Sequence, residues 1–290
     1  MIANPICVLN LLALGGVLWV LAPTRRVTDG TTLGTAWRWM LGAAVAWFAA
    51  ALFEALAGPV APATAHAWYA ASVLALCPWI AVLGARRPVV RVWNWFVLAP
   101  LAAVLMWPVA VCWMPRGPTH PPLETPTLIG FGVVSVMGFG NYLGTRFALS
   151  AALSAAAVWM ALMSTSRGAG SGEGLRSLAC LALLAAAMLA VRRAPRVPTA
   201  AFAWDRVWRD VRDTFGMVWA NRLTERVNAQ AARDGWTSRL TPDGFVAADP
   251  ARPADLERDL PRIDHTSRWL LQRFVDDAWI DARLSRGDDA

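Results

Sequence analysis

Lysine is absent: all 27 basic residues are arginine. A GC-rich coding sequence accounts for the preference, and its consequence is chemical. Without lysine there is no Schiff base to hold retinal or pyridoxal phosphate, and no P-loop lysine to hold a nucleotide phosphate. Cysteine is sparse. Cys7, Cys77, Cys112 and Cys180 fall in four different apolar stretches with no CxxC pair. That pattern supports neither a disulfide framework nor a zinc ribbon, and buried small apolar residues are the default. His66, His120 and His265 are equally scattered. Acids are rare in the first two thirds: residues 1–199 hold Asp29, Glu54, Glu124 and Glu173 against 13 arginines, net +9. Residues 200–290 hold 14 arginines against 16 acids, net −2. The positive excess thus lies between apolar stretches, where it orients helices, and a nucleic-acid partner is not needed to explain it.

What is abundant is apolar length. Hydrophobic residues fill 57% of the 290 positions and mean hydropathy is +0.41, too high for an ordinary globular chain. Seven stretches of about 20 apolar residues, as a hydrocarbon core of about 30 Å demands, lie near 5–22, 37–57, 64–84, 89–113, 127–143, 147–163 and 175–191. The expected fold is an all-α polytopic membrane protein with about seven transmembrane helices. A juxtamembrane linker at 192–201 and a small, mainly helical tail over 202–290 complete it. The first stretch lacks a basic leader and ends in Leu21-Ala22-Pro23-Thr24-Arg25-Arg26, so it reads as a retained helix rather than a cleaved signal. Around 141–146 a re-entrant pair over 127–163 competes with two spans.

Arginine asymmetry predicts the threading. Alternate loops carry Arg25, Arg26, Arg38, Arg86, Arg87, Arg91, Arg146, Arg192, Arg193 and Arg196, and the other set only Arg116, Arg167 and Arg176. The positive-inside rule then puts the N-terminus outside and the tail in the cytoplasm of a cell (inner) membrane. Trp37, Trp39, Trp93 and Trp95 beside the inner arginines, and Trp107 and Trp113 opposite, suit interfacial anchoring. Gly130, Gly132, Gly138, Gly140 and Gly144 thin the fifth helix, with Gly140-x-x-x-Gly144 fitting a small-xxx-small contact, and Ala151, Ala152, Ala155 and Ala156 do the same for the sixth, which predicts close helix contacts. Pro78, Pro100 and Pro108 predict kinks in the third and fourth helices.

Glu54 is the one acid inside an expected span and so the first candidate for an intramembrane polar site. A short loop separates it from His66, which allows a proton-linked pair; the competing reading is an interfacial acid with its head in water. Asn141 and Arg146, with Tyr142 between them, are candidates for a small cytoplasmic-side polar pocket. Asn10, Asn94 and Asn141 otherwise read as interhelical hydrogen-bonding amides.

In the tail, Trp204, Val207, Trp208, Val211, Phe215, Val218 and Trp219 recur every three or four residues, one apolar face of a helix over about 202–233. Arg206–Asp210 and Arg209–Asp213 are opposite charges four apart on its expected solvent side. Residues 236–248 read as a short hairpin or turn around Pro242-Asp243-Gly244, followed by a loop over 249–262 and a helix over about 264–284. Asp276, Asp277 and Asp281 read as a solvated face rather than a metal site. The stripe Trp204, Trp208, Phe215 and Trp219 exceeds what one further helix covers, so the bilayer surface or a protein partner is expected to dock there. These features point to a non-catalytic membrane subunit or scaffold without cofactor or metal. A small-molecule or ion transporter using Glu54 and His66 is the alternative, and an intramembrane lipid-modifying enzyme ranks third.

Overall fold

The computed structural model describes residues 4–166, 171–194, 202–249 and 255–285. The expected linker lies outside them from residue 195 on, as do Arg167 and Arg196. The chain is mostly helical. Among the described residues four helices are long and apolar enough to cross a membrane: Pro5–Thr28, Gly34–Ala57, Pro62–Leu83 and Gly172–Arg193. The apolar helices Val90–Leu105, Thr125–Gly140 and Ala148–Ser164 are shorter. At 1.5 Å per residue, a helix of 16 or 17 residues reaches about 25 Å, less than the hydrocarbon thickness.

Helix α1 (Pro5–Leu21) begins where the Asn4 side chain accepts the Ile6 N–H, and it tightens into a 3₁₀ segment, Ala22–Thr28. Helix α2 (Gly34–Ala57) ends at Gly58, whose φ of +89° suits glycine. Helix α3 (Pro62–Leu83) returns alongside α2 and contains Pro78 without a break. The fourth apolar stretch is interrupted as its prolines predict. It runs as α4 (Val90–Trp93), a π segment (Asn94–Leu98), α5 (Ala99–Leu105) and α6 (Trp107–Cys112). Pro100 has no N–H to donate back along the helix, and the π turn just before it absorbs the mismatch. There Asn94 Oδ1 accepts the Trp39 indole at 3.0 Å, a helix-to-helix bond. Helices α7 (Thr125–Gly140), α8 (Ala148–Ser164) and α9 (Ser171–Arg193) complete the bundle, with α9 packed on α8 and α1.

Small residues follow the expected pattern in part. Helix α7 ends at Gly140, and Gly144 sits in the following turn at φ +89°, so the pair is not one helix face. The close approach is at Gly138, where a Cβ would stand 2.8 Å from Cβ of Trp79 on α3. On α8 the buried face is Ala151, Ser154, Ala157 and Ala161, whereas Ala152 and Ala156 are exposed.

Beyond the bundle, the expected single helix over 202–233 is two: α10 (Ala203–Phe215) and α11 (Met217–Arg233), broken at Gly216 with φ +83°. Strands β1 (Ser238–Thr241) and β2 (Gly244–Ala247) form an antiparallel hairpin around Pro242-Asp243, with Thr241 opposite Gly244. Helix α12 (Asp255–Leu271) starts inside the segment expected to be a loop and carries Pro261 within it. Asp259 on that helix accepts bonds from the Thr237 N–H, the Thr237 hydroxyl and the Ser238 hydroxyl, tying α12 to the hairpin. Helix α13 (Asp277–Leu284) follows a break, because residues 274–276 pair with the loop after the 3₁₀ segment. Thr32 N–H donates to Phe274 O at 2.8 Å, and Asp276 N–H to Gly30 O at 2.8 Å.

One apolar core runs without interruption from the bundle into residues 204–280. Within the C-terminal part of that core the Phe274 ring stands 5.3 Å from Phe215 and 4.9 Å from Trp219.

Candidate functional site

Glu54 lies one turn before the end of α2 and is 2% exposed. Its Oε1 accepts Arg176 Nη1 of α9 at 2.7 Å, and its Oε2 accepts the Trp68 indole of α3 at 2.8 Å. Arg176, itself 3% exposed, also donates from Nε to Ser164 Oγ of α8 at 3.2 Å. Four helices thus converge on one closed network in which both carboxylate oxygens are occupied. Closure of this kind is what lets a charge persist in an apolar setting. The expected geometry differs on two counts. Glu54 does not keep its head in water, and it pairs with Arg176 rather than His66. The His66 ring stands against Trp113, edge to face with centroids 6.5 Å apart, and its Nε2 has no hydrogen-bond partner.

Asn141 and Arg146 belong to the other end of the bundle. Trp68, beside Glu54, and Val82, beside the C-terminal residues, are 14 residues apart on α3, about 21 Å along its axis. The Asn141 side chain bridges the break at Gly216: Nδ2 donates to Phe215 O at 3.1 Å, and Oδ1 accepts Val218 N–H at 2.9 Å. Met217 N–H donates to the Asn141 backbone carbonyl at 2.7 Å. One asparagine thereby satisfies the last turn of α10 and the first turn of α11, groups that a helix leaves open at its ends. Glycine is required opposite, since a Cβ on residue 216 would sit 2.2 Å from Asn141 Nδ2. Tyr142 donates its hydroxyl to Thr214 O at 3.2 Å. The expected polar pocket around Asn141, Tyr142 and Arg146 is therefore filled by residues 214–218.

Arg146 closes the junction electrostatically. Its Nη2 meets Asp210 at 2.6 Å and its Nε lies 3.6 Å from Asp213. Asp210 also takes Arg283 of α13, and Asp213 takes Arg212 at 3.2 Å. These two aspartates are 3% and 1% exposed, not on the solvent side where the four-residue spacing put them. The charge imbalance between residues 1–199 and 200–290 was the signal for this pairing.

The aromatic stripe is covered from within the chain. Trp204, Trp208, Phe215 and Trp219 are all buried, Trp208 donating to Pro242 O at 3.2 Å and Trp219 to Val82 O, the last turn of α3, at 3.1 Å. The unoccupied docking face expected at these residues is not present, because α12, the hairpin and the bundle supply the cover. The aspartates of the last helix are paired as well: Asp276 with Arg87 at 2.6 Å, and Asp281 with Arg268 at 2.8 Å.

No family model, no curated protein and no solved structure matches this chain.

Proposed function

We propose that the chain is a seven-span membrane protein with its C-terminal unit on the cytoplasmic side, acting as a non-catalytic subunit or scaffold that holds this unit in a fixed pose. One observation carries the reading. The loops after the first, third and fifth apolar stretches all touch the same C-terminal unit: Gly30 and Thr32 meet residues 274–276, Arg87 N–H donates to Arg273 O, and Asn141 bridges α10 and α11. The end of the seventh joins them, with Arg193 donating to Arg146 O at 2.8 Å. Loops two stretches apart share a side when each pair of stretches goes across and returns, which supports seven crossings. The same loops carry the arginine excess, which favours the cytoplasm.

Glu54 is taken up by Arg176 and Trp68, which favours a structural role for this acid over a transport or acid–base role. A cytoplasm-restricted reporter fused after Ala290 should be active, and one fused before Met1 inactive; the reverse pattern overturns the threading.

A carrier is the second reading, favoured by a cavity of about 270 Å³ among α1, α2, α3, α8 and α9. Its walls are apolar apart from hydroxyls such as Ser150, whose Oγ is buried without a partner. Replacing Glu54 and Arg176 together by Gln and Met separates the two. A scaffold retains its cellular phenotype at normal protein level, whereas a carrier working through this charge loses it.

A further inference from the structure

Around the junction five arginines have a carboxylate: Arg87, Arg146, Arg212, Arg268 and Arg283 each meet an aspartate. Arg86, Arg222, Arg226 and Arg273 meet none among the described residues, and all four line one groove of about 310 Å³. Arg222 and Arg226 stand one turn apart on α11. The Arg222 guanidinium lies 5.2 Å from the Trp219 ring centroid, and Arg273 lies 5.7 Å from that of Trp269, so aromatic faces hold them in place. Glu225 is the one acid lining the groove. Four unmatched like charges in one concavity favour occupation by an anion, and guanidinium forks suit phosphate oxygens.

The groove does not end there. It shares Arg86, Trp219 and Arg222 with a neighbouring cavity of about 420 Å³, whose other walls include Leu83, Val89, Trp93 and Met137. On the adjoining turn Trp95 and Phe96 are 72% and 77% exposed, as suits side chains facing lipid near an interface. The site is thus basic at one end and apolar at the other, where the bundle meets the C-terminal unit.

We propose that this double cavity binds one anionic phospholipid, its phosphate among Arg86, Arg222, Arg226 and Arg273 and an acyl chain along Leu83, Val89, Trp93 and Met137. The inference rests on the reading that this end of the bundle lies at the cytoplasmic membrane surface. Native mass spectrometry of the full chain, purified in mild detergent and titrated with phosphatidylglycerol, phosphatidylcholine or inorganic phosphate, tests it. Wild type should retain phosphatidylglycerol over phosphatidylcholine. Arg222→Gln/Arg226→Gln should weaken that retention about tenfold or more, as expected for two arginines lost beside an anionic headgroup. Arg38→Gln, an exposed arginine on α2, should leave it unchanged, which separates a site from general surface charge. Met137→Trp, filling the apolar half, should lower lipid retention while the protein's melting temperature holds. Equal retention by wild type and the double variant overturns the proposal. So does inorganic phosphate displacing the lipid at equal concentration, because the apolar half then contributes nothing. An inverted reporter pattern with the lipid preference intact would remove the threading but leave the groove standing.

Discussion

A carboxylate and a guanidinium that are both almost fully buried are far costlier to separate than to remove together. Glu54 and Arg176 show why: each is desolvated, each satisfies the other, and Trp68 and Ser164 fill the remaining hydrogen-bonding positions. Glu54→Gln leaves Arg176 charged and uncompensated, which should cost about 3–5 kcal/mol of stability, while Glu54→Gln/Arg176→Met should recover most of it. Melting curves in detergent for the single and double variants check this, and an additive double variant would show that the two residues are not coupled. Asp259 is a second test, outside the apolar bundle. Burial alone would raise its carboxyl pKa, but bonds from Ser238 and Thr237, with Arg258 nearby, hold it below the ordinary value of 3.8. A depressed carboxyl contributes stability above its unfolded pKa and loses it as pH falls through the folded pKa. Asp259→Ala, which strands the Thr237 N–H and two hydroxyls, should cost about 1–3 kcal/mol at neutral pH, with the deficit shrinking under strong acid.

At the scale of elements, helices were legible where apolar periodicity was long, and the interruption of the fourth stretch where Pro100 and Pro108 remove donors, whereas Pro78 sits in α3 without a break. The π segment before Pro100 and the hairpin at Pro242-Asp243-Gly244 belong to that class. The break at Gly216 was hidden because Phe215, Val218 and Trp219 continue the helical spacing across it. What imposes it is Asn141, a residue 75 positions earlier. Local pattern holds no record of such a partner. The start of α12 was hidden for the same reason: Pro261 argues against a helix, and the Asp259 bonds to the hairpin override it. Gly216 has φ +83° and ψ 175°, a region open essentially to glycine alone. Gly216→Ala should therefore cost at least about 1–3 kcal/mol from backbone strain. Asn141→Ala should cost a similar amount by opening Phe215 O and Val218 N–H. Because both act on one contact, the double variant should lose less than the sum, a result readable from chemical denaturation of the three variants. Full additivity would mean that the asparagine does not act through this break.

For the whole molecule, apolar content and arginine placement indicated a polytopic chain, but they presented the C-terminal residues as a separate small tail with an aromatic face to spare. Its missing cover was counted only within the tail. The bundle supplies the rest, through Val82 beneath Trp219, the 30–32 loop beside Phe274 and the 141–146 loop beneath α10 and α11. Glu54 was legible as the rare acid in an apolar stretch, whereas Arg176 was masked by its position at the edge of the seventh, where it counted as a loop charge.

The merged core has a consequence for dissection of the chain. A fragment of residues 202–290 keeps the hairpin, α12 and the aspartates Asp210 and Asp213 but loses Arg146, Asn141 and the Val82 carbonyl. Two buried carboxylates would face fewer arginines, the Gly216 break would lose its cap, and Phe274 and Trp219 would lose their cover from the bundle. Aromatic side chains bury about 150–250 Å² each, so an aggregation-prone surface opens on separation. The isolated fragment should therefore self-associate or unfold, seen as a broad, concentration-dependent species in size-exclusion chromatography and dye binding to exposed apolar surface. Arg146→Ala in the full chain should act in the same direction but more mildly, speeding limited proteolysis of residues 202–290 while cleavage within the bundle stays slow. A fragment that elutes as a compact monomer and melts cooperatively would show that the bundle contributes only an attachment point and not part of the core.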